Sequence, residues 1–267
     1  MKPLKGAENL LALVKKSSPS HHTLGKYWRP GHNLLVTNTW CSTDNQAKFD
    51  INCEKDVSFK MYWTSDENQF GYHINRYGYR VSPKEETWTK DQDNIMFVGC
   101  SHTFGIGVDW KDTFVAKIGE HLNTNIMNLG SPGGSLDLSY RLASLWVPYI
   151  KPKKLFLYTP PWPRIELIVN RDNDYTTFYA LSHRNLDRHP EWSHLETLFT
   201  GENLMFNMDK NIKAIEKVAE ENDVDFYCVH HVDHMDQTAG GNRLGRDNGH
   251  GGKAWHDKVT EHFIGML

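Results

Sequence analysis

From residue 94 onward the sequence alternates short apolar runs with stretches of helical periodicity, and this alternation leaves few folds open to the chain. The runs are Ile95-Met96-Phe97-Val98, Ile126-Met127-Asn128-Leu129, Leu155-Phe156-Leu157-Tyr158 and Asp225-Phe226-Tyr227-Cys228-Val229. An all-apolar strand needs cover on both faces, as in parallel sheets. Between the runs, residues 113–122 place Phe114, Val115, Ile118 and Leu122 at helical spacing. Residues 136–149 read as a second helix stopped near Pro148 and Pro152. Residues 203–221 form a third, with Ile212, Ile215, Val218 and Ala219 on its apolar face, and a last helix starts near Gly252. Strands alternating with helices predict a parallel, doubly wound sheet. Ligands bind such sheets beyond the C-terminal ends of the strands. The loops after the four runs are therefore where chemistry is to be sought.

The first 90 residues have a different texture, rich in aromatic residues and Asn. Val57, Phe59, Met61 and Trp63 alternate with other residues, which predicts a half-buried strand. Residues 72–80 read as an extended piece with a turn at Gly78, and residues 84–93 as a charged connector. The expected division is an N-terminal extension over 1–90, with short strands packing on the main domain, and a main domain over 91–267. The stretch from 160 to 201 reads as irregular. With 39% hydrophobic and 24% charged residues the chain can bury a core, and a net charge of −3 gives no basic surface for nucleic acid. The four cysteines, Cys41, Cys53, Cys100 and Cys228, form no C-x-x-C pair and are expected as free thiols, as in a reducing compartment. The apolar stretch over 10–14 is too short for a signal-peptide core and reads as a short amphipathic helix; no run reaches membrane-spanning length. A cytoplasmic or virion-associated location is expected.

Three loops carry the chemistry. After the first run comes Gly99-Cys100-Ser101-His102-Thr103-Phe104-Gly105. A serine directly beyond a strand presents its hydroxyl at the sheet rim, and amides at a following helix start can stabilise an oxyanion; a polar turn is the plainer reading. After the second run comes Asn128-Leu129-Gly130-Ser131-Pro132-Gly133-Gly134-Ser135, where Gly130 can bring its amide close to a reacting carbonyl, or Ser135 simply caps a helix. Near the C-terminus stands Arg246-Asp247-Asn248-Gly249-His250-Gly251-Gly252. A serine needs a base, and an imidazole needs an acceptor to hold its tautomer. A carboxylate three residues before the histidine can reach back to Nδ1; a solvated loop is the alternative.

Taken together, "FVGCSHTFGIGV", "NLGSPGG" and "RDNGHGGKAWHDKV" resemble the serine, N-x-G and D-x-x-H blocks of the SGNH (GDSL-like) hydrolases. "INRYGYR" resembles the N-x-x-G-[FY]-R stretch that often precedes the serine loop in that family. The likeness runs from about Ile74 to the end, with a poorly matched middle. It implies a flavodoxin-like three-layer α/β/α sandwich with a five-stranded parallel sheet, preceded here by a β-rich N-terminal extension. It implies Ser101 as nucleophile and amide donor, Gly130 as second oxyanion donor, His250 as base and Asp247 as its orienting carboxylate. No cofactor or metal is implied. The substrate class is an ester, of a small molecule or an O-acylated glycan. Acyl transfer by the same residues, or a binding or structural module such as a viral-particle component, are the alternatives.

The sequence departs from the family pattern at two places. Cys100 replaces the usual aspartate of the serine block, and the segment Thr159-Pro160-Pro161-Trp162-Pro163-Arg164-Ile165-Glu166 lacks the asparagine that normally serves the oxyanion hole. Thr159 or Arg164 is the expected substitute. In this the chain resembles a divergent branch found in phage and bacterial genomes. His102 lies beside Ser101 and either lines the pocket or sits on the surface. His230, His231, Asp233 and His234 crowd together without an H-E-x-x-H spacing, and read as a polar loop at the site rim rather than a metal centre. Trp162, Trp192 and Trp255 are candidates for sugar stacking or for the core.

Overall fold

The protein was analysed as a computed structural model, which describes residues 36–75, 77–83, 88, 92–160, 164–171, 175–181, 199–238 and 243–267. The helix expected over 10–14, most of the connector, Trp162 and Trp192 lie outside these residues. The described residues begin with β1 (Val36–Asn38), followed by helices α1 (Gln46–Lys55) and α2 (Val57–Trp63). Next comes β2 (Tyr72–Ile74), which pairs antiparallel with β1, Thr37 opposite His73. The strand expected over 57–63 is therefore a helix. Asp56 caps it, accepting from the Ser58 and Phe59 amides at 2.8 and 3.1 Å. Phe59 and Trp63, one helical turn apart, are buried, whereas Val57 and Met61 are 69% and 71% exposed. A strand would have put all four on one face; a helix buries only the i, i+4 pair. Beyond β2 the chain turns at Gly78, with Asn75 Oδ1 accepting from the amides of Tyr77 and Tyr79 at 3.0 and 3.1 Å.

The chain then runs through β3 (Asn94–Gly99), the one-turn helix α3 (Ser101–Phe104), α4 (Phe114–Leu122), β4 (Asn125–Asn128), α5 (Leu136–Ile150) and β5 (Lys154–Tyr158). It continues with the hairpin β6 (Ile165–Arg171) and β7 (Tyr175–Leu181), α6 (Gly201–Glu220), β8 (Asp225–Val229) and α7 (Lys253–Gly265). The sheet order is β4-β3-β5-β8, all parallel. Alternate residues of each strand enter opposite cores. Ile95, Phe97, Phe156 and Tyr158 pack beneath α4 and α7 with Phe114, Ile118, Trp255, Val259 and Phe263. Met96, Val98, Leu155 and Leu157 pack beneath α5 and α6 with Leu142, Val147, Ile215 and Ala219. This is a three-layer α/β/α sandwich. The rings of Phe97 and Phe156, paired across β3 and β5, stack at 4.7 Å.

Helix starts follow local chemistry. Thr113, Ser135 and Thr200 cap α4, α5 and α6 by accepting from the amides of Ala116, Leu138 and Asn203. Two expectations change. Four sheet strands are found among the described residues, where five were expected. The stretch read as irregular holds the β6–β7 hairpin, with Ile165 opposite Leu181 and Arg171 opposite Tyr175. Its base is fixed to α5: Arg141 makes a two-pronged pair with Glu166, both bonds 2.8 Å, and Asp137 accepts from the Glu166 amide at 2.9 Å. The chain leaves β3 for β4 on one side and returns to β5 on the other. Their carboxyl ends thus form a switch point, where such folds open a crevice. Among the described residues no helix is long and apolar enough to cross a membrane.

Candidate active site

Ser101 is the first residue of α3, just past the C-terminal end of β3, and is 7% exposed. Its Oγ lies 2.8 Å from His250 Nε2, and His250 Nδ1 lies 2.7 Å from Asp247 Oδ2. The three side chains, separated by up to 149 positions, therefore form one continuous hydrogen-bonded line at the sheet rim. The Asp247–His250 loop is built for this. Asp247 Oδ1 accepts from the amides of Gly249 and His250 at 3.1 and 3.0 Å, while Asn248 takes a left-handed conformation at φ 47°. Burial alone pushes the Asp247 carboxyl up. Hydrogen bonds from His250 and Thr43, with the charges of His250 and Lys48, outweigh burial and hold it well below the usual carboxylate range. An ionised Asp247 can only accept, so His250 Nδ1 is the donor, and in the neutral imidazole Nε2 then faces Ser101 as acceptor.

The serine loop is braced from both sides. Arg80, fully buried, donates from Nη1 to the carbonyls of Phe104 and Gly105 and from Nη2 to that of Val108 at 2.8 Å. Its guanidinium lies 4.5 Å from the centre of the Tyr72 ring. Gly107, at φ 84°, has no room for a side chain: a Cβ would stand 3.0 Å from the Arg246 amide and 3.1 Å from Asp247 Oδ1. The Gly107 carbonyl accepts from the Arg246 amide at 2.7 Å and so ties the serine loop to the histidine loop.

The other expected site residues are placed as follows. Gly130 lies against α3, where an added Cβ would come within 2.4 Å of the Phe104 amide. Its own amide donates to Asn128 Oδ1 at 2.9 Å, so it is engaged rather than free as an oxyanion donor in this structure. Thr159 is buried and its Oγ1 accepts from the His231 amide at 2.9 Å. Arg164 donates to the Gly134 carbonyl at 2.9 Å and ties the loop after β4 to that after β5. His102 is not a surface histidine: it is 4% exposed, and its ring packs 4.9 Å from that of His250, 5.1 Å from His231 and 4.9 Å from Trp255. Burial, then the charges of His250 and His231, keep it neutral, well below the usual histidine range. His231 is likewise buried and pushed down to about 4, first by burial and then by His234 and Arg164. Its Nδ1 meets the Tyr158 hydroxyl at 3.1 Å. Among the described residues no group of three or more His, Cys, Asp and Glu is arranged to hold a metal. Trp255 is a core residue, 1% exposed. All four cysteines are free, and Cys100 is wholly buried.

Sequence reasoning missed the contribution of the extension. Asp44 is fully buried and receives Arg246 through Nε at 3.0 Å and Nη2 at 2.7 Å, and the Tyr72 hydroxyl at 2.6 Å. Tyr72 accepts in turn from the Gly107 amide at 2.9 Å. The "RD" pair before the histidine was the available signal, since an arginine beside a buried carboxylate needs an acid of its own.

The fold and site together define an α/β/α protein with a Ser–His–Asp line at the C-terminal rim of its sheet. No protein-family model and no curated protein matches the sequence. Among solved structures the chain is similar to a lipolytic protein of the G-D-S-L family from Veillonella parvula, at 15% identity and TM-score 0.34, covering 65% of this chain and 97% of that one. It is similar to TesA at 12% identity and TM-score 0.38, covering 65% and 97%. It is also similar to the acetyl xylan esterase Est2A from Butyrivibrio proteoclasticus at 13% identity and TM-score 0.33, covering 68% and 64%.

Proposed function

We propose that the protein is an SGNH-type serine ester hydrolase, with Ser101 as nucleophile, His250 as general base and Asp247 as the carboxylate that orients and charge-balances the imidazole. The observation that carries this reading is the unbroken line from Ser101 Oγ to His250 Nε2 at 2.8 Å and from His250 Nδ1 to Asp247 at 2.7 Å. In the reaction, Ser101 Oγ attacks the ester carbonyl carbon as its proton passes to His250 Nε2. The tetrahedral oxyanion is held first by the Ser101 amide, at the start of a helix whose N-cap residue Cys100 supplies no side-chain acceptor. The Gly130 amide joins once Asn128 releases it. The bond to the leaving alcohol breaks, and His250 returns its proton to that oxygen. Water, deprotonated by His250, then attacks the acyl-enzyme and frees the acid and Ser101. In this reading Thr159 and Arg164 take over from the family's asparagine; Arg164, bonded to the Gly134 carbonyl, supplies a positive charge. The substrate in this reading is an ester, an O-acylated carbohydrate being one class to test.

The second reading is a binding module that keeps the fold with little catalysis. The engaged Gly130 amide favours it, since one missing oxyanion donor costs ~10²–10³ in rate. Acetate release from simple esters, measured for the wild type, Ser101→Ala and His250→Ala, separates the two. Release that both substitutions abolish supports the hydrolase; no release by the wild type supports the binding module. Adding alcohol acceptors and following acylated product separates hydrolysis from transfer.

A further inference from the structure

The Asp247 carboxylate is met from outside its own loop by one hydroxyl, and that hydroxyl belongs to the N-terminal extension. Thr43 Oγ1 lies 2.6 Å from Asp247 Oδ2, the same oxygen that receives His250 Nδ1 at 2.7 Å. The ionised carboxylate only accepts, so Thr43 donates. Oδ2 thus serves two side-chain donors, while Oδ1 serves two backbone amides.

Thr43 is fixed by what surrounds it. It sits in a tight turn closed by Cys41 N to Asp44 O at 2.8 Å and Asp44 N to Cys41 O at 3.0 Å, with Ser42 at φ 58°. The next residue, Asp44, holds Arg246. Two consecutive residues of the extension therefore grip two consecutive residues of the histidine loop. The Arg246 guanidinium is also enclosed by the extension's Trp40 and Phe70 rings, at 4.2 and 4.0 Å.

We propose that Thr43 is a positioning residue of the site, a fourth member of the Ser101–His250–Asp247 line supplied by the extension, which sets how strongly Asp247 holds the His250 ring. Its catalytic meaning rests on the hydrolase reading above; its effect on His250 does not. A donor on Oδ2 draws off charge that otherwise stabilises the imidazolium, and it keeps the carboxylate from rotating away from Nδ1. Removing the hydroxyl leaves a less well-oriented partner with more of its charge turned to His250 Nδ1. The groups facing His250 are Asp247 from its own loop and His102 from α3, with Lys48 of α1 at 3.9 Å from Asp247 Oδ2 and His256 of α7 within electrostatic range. Substituting Thr43 replaces none of these groups and acts on His250 only through Asp247.

The test compares Thr43→Val, which removes only the hydroxyl donor, with Thr43→Ser, which restores it. Thr43 is otherwise exposed, so neither change opens a core cavity. Proton NMR of the His250 Nδ1–H resonance follows its hydrogen bond to Asp247 without turnover, and the rate of reaction with a fluorophosphonate follows the nucleophile. Thr43→Val is expected to move that resonance away from its wild-type position. It is expected to slow labelling roughly three- to tenfold, and Thr43→Ser is expected to recover both. A Thr43→Val protein with the wild-type resonance overturns the proposal. If the wild type takes no label, the hydrolase reading fails, and the resonance alone still decides for or against Thr43. Thr43→Ala gives the same readouts should the valine variant not fold.

Discussion

Asp44→Ala removes the acid that neutralises Arg246 and offers a sharp test of how the extension supports the site. The side chains of Asp44 and Arg246 are 0% and 5% exposed, so neither charge is solvated when its partner is lost. Breaking such a buried pair by deleting one member costs about 3–5 kcal/mol. Here the lower end applies. Arg246 keeps the Thr39 carbonyl at 2.5 Å, the Phe70 carbonyl at 3.4 Å and its two aromatic neighbours, and such stacking retains roughly 0.5–2 kcal/mol per ring. The expected loss is about 3 kcal/mol. At roughly 2–4 °C per kcal/mol for a domain of this size, the melting temperature falls by about 6–12 °C. Most of the cost comes from the stranded guanidinium, so Asp44→Ala with Arg246→Met is expected to recover at least half of it. Thermal unfolding followed by near-UV circular dichroism measures both. A single variant melting within a degree or two of the wild type refutes the reasoning, as does a double variant no more stable than the single one.

Further outcomes follow from the same structure. The buried His231 is pushed down to about 4, so below its unfolded value of 6.5 the unfolded chain takes up a proton that the folded protein refuses. Stability therefore falls as pH drops from 6.5 towards 4, and His231→Gln flattens that slope in urea titrations; buried His102 and His256, shifted the same way, retain the remainder. Asp247 is depressed below its ordinary 3.8, so the stability it contributes is present above that value and is lost at lower pH, a loss that Asp247→Asn abolishes. Gly130→Ala drives a methyl to 2.4 Å from the Phe104 amide. It is expected to cost roughly 1–3 kcal/mol and displace α3, read as a lower denaturation midpoint and loss of ester hydrolysis. Ser101→Ala removes one hydrogen bond and is expected to stay within roughly 1.5 kcal/mol of the wild type in the same titrations.

The sheet was legible because all-apolar runs such as Ile95–Val98 can only sit between two layers, and their boundaries fell within a residue or so of the strands found. The serine and histidine loops were legible because glycines and short polar residues punctuate the strand ends. Residues 57–63 misled because an alternating pattern contains a helical i, i+4 pair, and the arbiter was the capping Asp56 just outside it. The β6–β7 hairpin announced itself weakly, through β-branched and aromatic residues on either side of Asp172-Asn173-Asp174. Of the buttress of the histidine loop only the Arg246-Asp247 pair was legible locally, with no sign of where its acid stood. Asp44 and Arg246 are 202 positions apart and Thr43 and Asp247 204, and no spacing rule links them. His102 stayed between pocket and surface for a related reason: a polar residue in a glycine-rich loop can be either, and only the fold places Trp255 and His231 against it.

The central claim is that the hydroxyl at position 101 is activated by the imidazole at position 250. Intact-mass spectrometry after treatment with an organophosphonate, followed by peptide mapping, tests it most directly. One adduct per chain, on the peptide bearing Ser101 and absent from His250→Ala, is the predicted result. An unmodified wild-type protein, or an adduct that persists when the histidine is replaced, contradicts the account.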